Sequence, residues 1–123
     1  MKELLFVAVG GAIGAMLRYS IGLLPIRSDF PYLTLCINIL GAFIIGMIVG
    51  CTSFHVMSDS TLLLLKTGFC GGFTTFSTFS LEALTLLQTK HYGSAFTYML
   101  ASLLLCLLAV FLGTSVMQHF FQK

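Results

Sequence analysis

A run of 13 residues in the middle of the chain combines glycine, phenylalanine and hydroxyl side chains in a pattern that favours ion binding. Residues 68–80 read GFCGGFTTFSTFS. Adjacent glycines followed by five hydroxyl residues in seven positions make a poor helix, because the hydroxyls compete for backbone hydrogen bonds. A break would expose main-chain carbonyls, which bind cations, and amides, which bind anions. An unbroken helix, with its hydroxyls bonded to carbonyls four residues back, is the alternative.

Two phenylalanines in this run favour an anion. Phe76 and Phe79 are three residues apart, so a helix that begins near Thr75 places them on one face. The edge of an aromatic ring is positive and can contact an anion without holding it as tightly as a basic residue would. Packing between helices is the alternative role for the pair.

Isolated polar residues elsewhere in the apolar chain are further candidates for an ion pathway. Asn38 is the only asparagine, its amide offers two donors, and Thr34 lies one turn before it. Tyr98 and Ser102, four residues apart, form a short polar stripe that Cys106 continues weakly. A polar side chain in a membrane segment is a functional candidate, with hydrogen bonding between helices as the other interpretation.

The composition indicates that lipid surrounds these residues. Of the 123 residues, 58% are hydrophobic and 8% are charged, whereas soluble domains carry about 25% charged residues. A net charge of +2 over six lysines and arginines gives no basic face for nucleic acid. The sequence has no acid pair, no Ser/His/Asp arrangement and no phosphate loop, so we do not expect an enzyme.

The hydrophobic runs predict an all-α membrane protein with one transmembrane domain. A spanning helix needs about 20 mostly apolar residues. Four such runs occur, at 4–24, 32–54, 61–87 and 92–117. Thr74 falls at the middle of the third run, so the third helix is expected to break near the bilayer centre.

The basic residues do not favour either orientation in the membrane. Four spans place both termini on one side, and three basic residues fall on each side. The two sets are Lys2, Lys66 and Lys123 against Arg27, Lys90 and Arg18, if Arg18 extends outward. A chain without bias can insert both ways and pair with an inverted copy. A weak single preference explains the count equally well.

The segment Gly71–Ser80, followed by Glu82, closely resembles the signature of the small fluoride channels of the Fluc or CrcB family. Supporting matches cover nearly the whole chain, and they are Gly10-Gly11 with Arg18, Asn38-Ile39-Leu40-Gly41, and Tyr98 with Ser102. The resemblance implies antiparallel, dual-topology homodimers with two fluoride pathways, multi-pass in the inner (plasma) membrane.

The resemblance also implies roles for individual residues. Phe76 and Phe79 match the pore phenylalanines and Asn38 the pore asparagine. Gly71 and Thr74 match positions whose main-chain carbonyls hold a structural sodium ion at the dimer interface. The remaining matches are Arg18 near the aqueous vestibule and Thr34, Tyr98, Ser102 and Glu82 along or beside the pathway. Phe73 occupies a position where many relatives have an aliphatic residue, and it is expected to pack in the protein rather than line the pore.

The implied function is passive export of cytoplasmic fluoride down its electrochemical gradient, which reduces fluoride toxicity. Hydrogen fluoride enters a cell as a neutral weak acid and ionises, so fluoride accumulates unless an anion pathway lets it leave. A small multidrug-type transporter is one alternative, but it needs a membrane carboxylate in the first helix, where only Glu3 occurs at the mouth. A non-transporting small membrane subunit is the other alternative.

Overall fold

The computed structural model describes residues 1–26 and 28–122, and within these ranges the ordered elements are all helices. Arg27 and Lys123, which entered the charge balance, lie outside the described residues. We number the helices α1 (Lys2–Gly22), α2 (Tyr32–Thr52), α3 (59–73), α4 (Phe76–Gln88) and α5 (Tyr92–Phe121).

Three of these helices, α1, α2 and α5, are long and apolar enough to cross a membrane. The predicted third span is divided between α3 and α4, so neither half reaches the length that a crossing needs by itself. The prediction of a broken third helix is confirmed. Each predicted run overlaps its helix, with the bounds shifted by a few residues.

The break lies at Thr74 and Thr75, where the backbone becomes extended. Thr74 has φ/ψ of −80°/157° and Thr75 has −149°/112°, so the helical hydrogen-bond ladder ends with the bond from the Thr74 N–H to the Cys70 carbonyl. The Thr75 hydroxyl accepts from the backbone N–H of Thr78 and thereby caps the start of α4. The new half-helix therefore begins where the sequence predicted it.

The double glycine does not itself form the break. Gly71 is helical, with φ/ψ of −64°/−36°, and no glycine in the described ranges has a positive φ. Gly72 serves close packing instead, because a methyl group there would overlap the Gly11 carbonyl of α1, whereas a Cβ at Gly71 would meet nothing within 4 Å. The backbone leaves the helix two residues later, at the threonines.

Small residues bring α1 and α3 together at backbone distance. A methyl group at Gly10 would overlap the Leu64 carbonyl, and one at Gly14 would overlap the Phe69 carbonyl. Gly10 and Gly14 are four residues apart, so they lie on one face of α1 and form a small-residue packing face. α3 adapts to this contact with π-helical turns over Leu63–Cys70, between α-helical turns at Asp59–Leu62 and Gly71–Phe73.

A second glycine-mediated contact joins α2 to α5. A methyl group at Gly46 would overlap the Val110 carbonyl, and one at Gly113 would overlap the Phe43 carbonyl. The Thr114 hydroxyl also donates to the Gly46 carbonyl at 3.1 Å. Gly46 and Gly50, also four residues apart, thus form a small-residue packing face of α2.

The short helix α4 packs into the angle between α2 and α5 and completes the buried core. Ala83 and Leu86 of α4 contact Leu35 of α2 and Ala95 and Tyr98 of α5. Tyr98 is fully buried. This packing fixes the position of α4, and therefore of the phenylalanines at its N-terminal end.

Candidate functional site: a polar groove at the helix break

The side chain of Asn38 holds the broken backbone through two hydrogen bonds. Its Nδ2 donates to the Thr75 carbonyl at 3.1 Å, and its Oδ1 accepts from the Thr75 N–H at 2.8 Å. These bonds replace the helical partners that Thr75 loses at the break. Nδ2 has a second hydrogen that remains available to a ligand.

The carbonyl groups at the end of α3 divide into satisfied and free ones. The Cys70 carbonyl accepts from the Thr74 N–H and hydroxyl, and the Gly72 carbonyl accepts from Arg18 Nε at 3.1 Å. Within the described residues, no hydrogen bond reaches the carbonyl oxygens of Gly71 or Thr74. The family resemblance implies that these two carbonyl oxygens bind a sodium ion.

A groove of about 670 Å³ opens beside the break, between α2, α3, α4 and α5. Six of the sequence-predicted residues line it together, namely Asn38, Gly71, Thr74, Phe76, Phe79 and Ser102. Its wall is otherwise mainly apolar. The polar groups and aromatic rings of the groove are therefore concentrated around the break in the third span.

The two phenylalanines lie side by side at the groove but differ in exposure. The ring centroids of Phe76 and Phe79 are 5.4 Å apart with an interplanar angle of 41°. Phe76 is 79% exposed, whereas Phe79 is half-buried and also contacts the ring of Tyr98 at 5.1 Å. Phe73 is completely buried and stacks on Phe69, so the prediction that it packs is confirmed.

Ser102 presents a hydroxyl without a partner. Its side chain is 8% exposed, it lines the groove, and its Oγ makes no hydrogen bond within the described residues. A buried unpaired hydroxyl costs about 1–3 kcal/mol. The site therefore favours a ligand that can pair with the Ser102 hydroxyl, and an anion can accept its hydrogen bond.

Glu82 forms a polar cluster next to the groove rather than in its lining. Its carboxylate accepts from the Thr34 hydroxyl at 2.9 Å and from the Tyr98 hydroxyl at 2.7 Å. The cluster links α2, α4 and α5, and Phe79 lies between it and the groove through its contact with Tyr98. Three predicted polar residues thus act as one hydrogen-bonded unit.

Arg18 belongs to α1 and lies away from these residues, on the side of α3 that packs against α1. Its bond to the Gly72 carbonyl places a positive charge at the C-terminal end of α3, where the helix dipole is negative. The side chain does not line the groove. Arg18 therefore contacts the C-terminal end of α3. Its location near an aqueous vestibule, which the family resemblance implies, stays a prediction.

Besides several apolar residues, the groove has three polar or ionisable lining residues that the sequence patterns did not predict. Lys66, Cys70 and Thr75 line it, although only their positions near the break hinted at this. Cys106 also lines the groove and continues the stripe begun by Tyr98 and Ser102 with a thiol. Across residues 1–26 and 28–122, no group of His, Cys, Asp and Glu side chains could hold a metal ion.

An all-helical membrane protein with a broken third helix and a polar groove at the break is the class that this geometry defines. Residues 5–114 match the family described as CrcB-like protein, Camphor Resistance (CrcB). The chain belongs to this CrcB family.

Curated relatives match over nearly their whole lengths. A protein of Caulobacter vibrioides named "Fluoride-specific ion channel FluC" is 40% identical, over 98% of this chain and 99% of the relative. Proteins with the same name from Phocaeicola vulgatus and Thermus thermophilus are 44% and 43% identical, over 92% of this chain and 96% and 93% of the relatives. The resemblance found in the sequence is thereby confirmed.

Proposed function

We propose that this chain forms a fluoride-selective passive channel that lets cytoplasmic fluoride leave the cell through the plasma membrane. The observation that carries the proposal is the groove, where the unpartnered Ser102 hydroxyl and the exposed edge of Phe76 lie beside the break. The names of the relatives support fluoride as the ion.

Fluoride needs donors that replace its water at the middle of the membrane. Ser102 Oγ–H and the second Nδ2–H of Asn38 are such donors, and the rings of Phe76 and Phe79 offer positive edges. Hydrogen bonds to charged groups are worth about 1.5–3 kcal/mol each. An inside-negative membrane potential drives the anion outward, with about 2.3 kcal/mol per charge per 100 mV.

The channel we propose is an antiparallel homodimer of dual topology. In one chain alone, the polar wall of the groove would face lipid, which provides no hydrogen bonds to its exposed main-chain groups. A second copy covers this wall, and the balance of basic residues allows the copy to insert in the opposite orientation. A two-fold axis then gives two equivalent pathways.

A sodium ion between the two copies fits the main-chain groups at the break. Carbonyl oxygens are the ligands that hard cations prefer, and those of Gly71 and Thr74 have no donor within the described chain. Two copies would supply four such oxygens. The bound ion would supply a fixed positive charge that stabilises the interface.

Fluoride efflux from liposomes tests the proposed function. Purified protein should release fluoride but retain chloride, measured with ion-selective electrodes while a potassium ionophore balances charge. Release of both anions, or of neither, would contradict the proposal. Transport of organic cations would indicate a multidrug-type carrier, and an inert protein would indicate a non-transporting subunit.

The assembly and the sodium ion need separate measurements. A C-terminal tag should be labelled from both sides of the membrane, and labelling from one side alone would exclude dual topology. Exhaustive exchange of sodium for a large organic cation should weaken the dimer and reduce fluoride flux. Indifference of both readouts would exclude the sodium site.

A further inference from the structure

One charged side chain lines the groove, at the end that faces the chain termini. Among the described lining residues, Lys66 alone carries a charge. It lies eight residues before Thr74, which is about two helical turns from the break along α3. Within the described chain, no hydrogen bond or salt bridge involves its ammonium group.

The walls around Lys66 offer no other charge to an ion. The lining residues of α2 and α5 that lie toward the termini from the break are Ile45, Cys106, Leu107 and Val110. The hydroxyl stripe on α5 ends at Ser102. Apart from Lys66 and the Cys106 thiol, this end of the groove is therefore apolar. Lys66 lies within the third hydrophobic run, and an ionisable residue in a membrane segment is a candidate for a functional role.

The geometry points to Lys66 as the residue that attracts the anion into the groove at this end. This inference rests on the proposed channel function and assigns to that function a positioning residue outside the phenylalanine pair. A single positive charge at one end of a groove with low-dielectric walls raises the local concentration of anions. Because Lys66 lies about two helical turns from the break, it attracts the ion without holding it there.

Charge substitutions at Lys66 test the inference in liposomes of uncharged lipid. We expect Lys66→Met to reduce fluoride efflux about 3- to 10-fold at low ionic strength, because steering by one charge has effects of this order. Added impermeant salt should narrow the difference, since screening lengths fall to about 10 Å at 0.1 M. Lys66→Arg keeps the charge and should restore most of the flux.

Lys2 provides a matched control, because it lies on the same side of the membrane and outside this groove. Lys2→Met should leave fluoride efflux unchanged. The inference is overturned if Lys66→Met matches the unsubstituted protein at low ionic strength, or if Lys66→Arg loses as much flux as Lys66→Met. It is also overturned if the effect of Lys66→Met requires anionic lipid, because the side chain would then serve lipid binding.

The experiment separates this inference from the proposed function. If the unsubstituted protein conducts no fluoride, the channel function itself is wrong. If it conducts and Lys66→Met conducts equally well, only the role of Lys66 is wrong. Size-exclusion profiles of the variants exclude misfolding as the cause of a lower flux.

Discussion

The amide of Asn38 makes two hydrogen bonds with one residue, accepting from the N–H of Thr75 and donating to its carbonyl. The pair joins α2 to the point where the third span breaks. Because Thr75 also caps α4, the same side chain sets the direction in which Phe76 and Phe79 leave the break.

Replacing Asn38 with alanine should destabilise the fold and abolish flux. Both backbone groups of Thr75 would lose their partners, and each unsatisfied group costs about 1–3 kcal/mol. We expect a lower melting temperature in detergent together with loss of fluoride efflux. Ser80→Ala is the control, because the Ser80 hydroxyl bonds only to its own helix, at the Phe76 carbonyl, and is exposed. Equal melting temperatures for the two variants would contradict the role of Asn38.

Replacing Phe76 or Phe79 with isoleucine separates ring electrostatics from packing. Isoleucine fills similar space but has no positive ring edge. We expect a folded protein whose fluoride efflux falls about tenfold or more, equivalent to about 1.4 kcal/mol in barrier height. The measurement is the initial efflux rate per mole of reconstituted protein.

Phe96 is the matched control for this pair, because it is 66% exposed on α5 and does not line the groove. Phe96→Ile should conduct normally. Phe73 is less suitable, since its complete burial makes substitution a test of the core. Normal efflux in Phe76→Ile and Phe79→Ile would show that the rings only fill space.

Removing the Tyr98 hydroxyl should weaken the cluster around Glu82. Tyr98→Phe leaves the carboxylate with Thr34 as its one side-chain donor, so we expect a loss of about 1–3 kcal/mol in stability. Thermal unfolding of the purified protein measures the loss. Tyr19→Phe, at a side chain that is 68% exposed, should have no effect. A Tyr98→Phe protein as stable as Tyr19→Phe would mean that the bond to Glu82 contributes nothing.

A methyl group at Gly72 should disrupt the contact between α1 and α3. Its Cβ would overlap the Gly11 backbone, and overpacking of this kind costs about 1–3 kcal/mol or more. We expect a lower yield and melting temperature for Gly72→Ala. Gly22→Ala, which has open space around its Cβ, should be neutral. A fully stable Gly72→Ala protein would contradict the close contact.

The neighbouring Gly71 tests the proposed dimer, because its Cβ would meet nothing within 4 Å in its own chain. Its backbone is helical, so alanine should not harm the fold of one copy. If a second copy packs against the groove, Gly71→Ala should weaken dimerisation while helix content stays constant. Dilution in lipid, followed by energy transfer between labelled copies, measures this. Unchanged association would place Gly71 outside the interface.

Local patterns made much of this fold predictable. The four apolar runs predicted the positions of the helices, and the hydroxyl-rich segment predicted the position of the break to within one or two residues. The four-residue spacing of Gly10 and Gly14, and of Gly46 and Gly50, is typical of the packing faces that these glycines form. These signals are short-range and depend on residue type and helical period.

Contacts between distant parts of the chain were not predictable in the same way. The bond from Arg18 to the Gly72 carbonyl spans 54 residues and depends on how closely α1 approaches α3. The groove position of Lys66 depends on the rotation of α3, which a regular helical period does not give. Residue type and helical spacing indicated six of the candidate site residues, namely Thr34, Asn38, Phe76, Phe79, Tyr98 and Ser102. The family resemblance added Arg18, Gly71, Thr74 and Glu82.

The π-helical turns over Leu63–Cys70 make chain length itself a determinant of the site. A turn that bonds residue i to residue i+5 contains more residues than an α-helical turn, so these eight residues complete fewer turns than an α-helix of the same length. Ordinary α-helical winding of the same segment would therefore rotate everything downstream about the helix axis. Thr75 would turn away from Asn38 even though both residues were intact. The number of residues between Asp59 and Thr74 therefore matters as much as their identity.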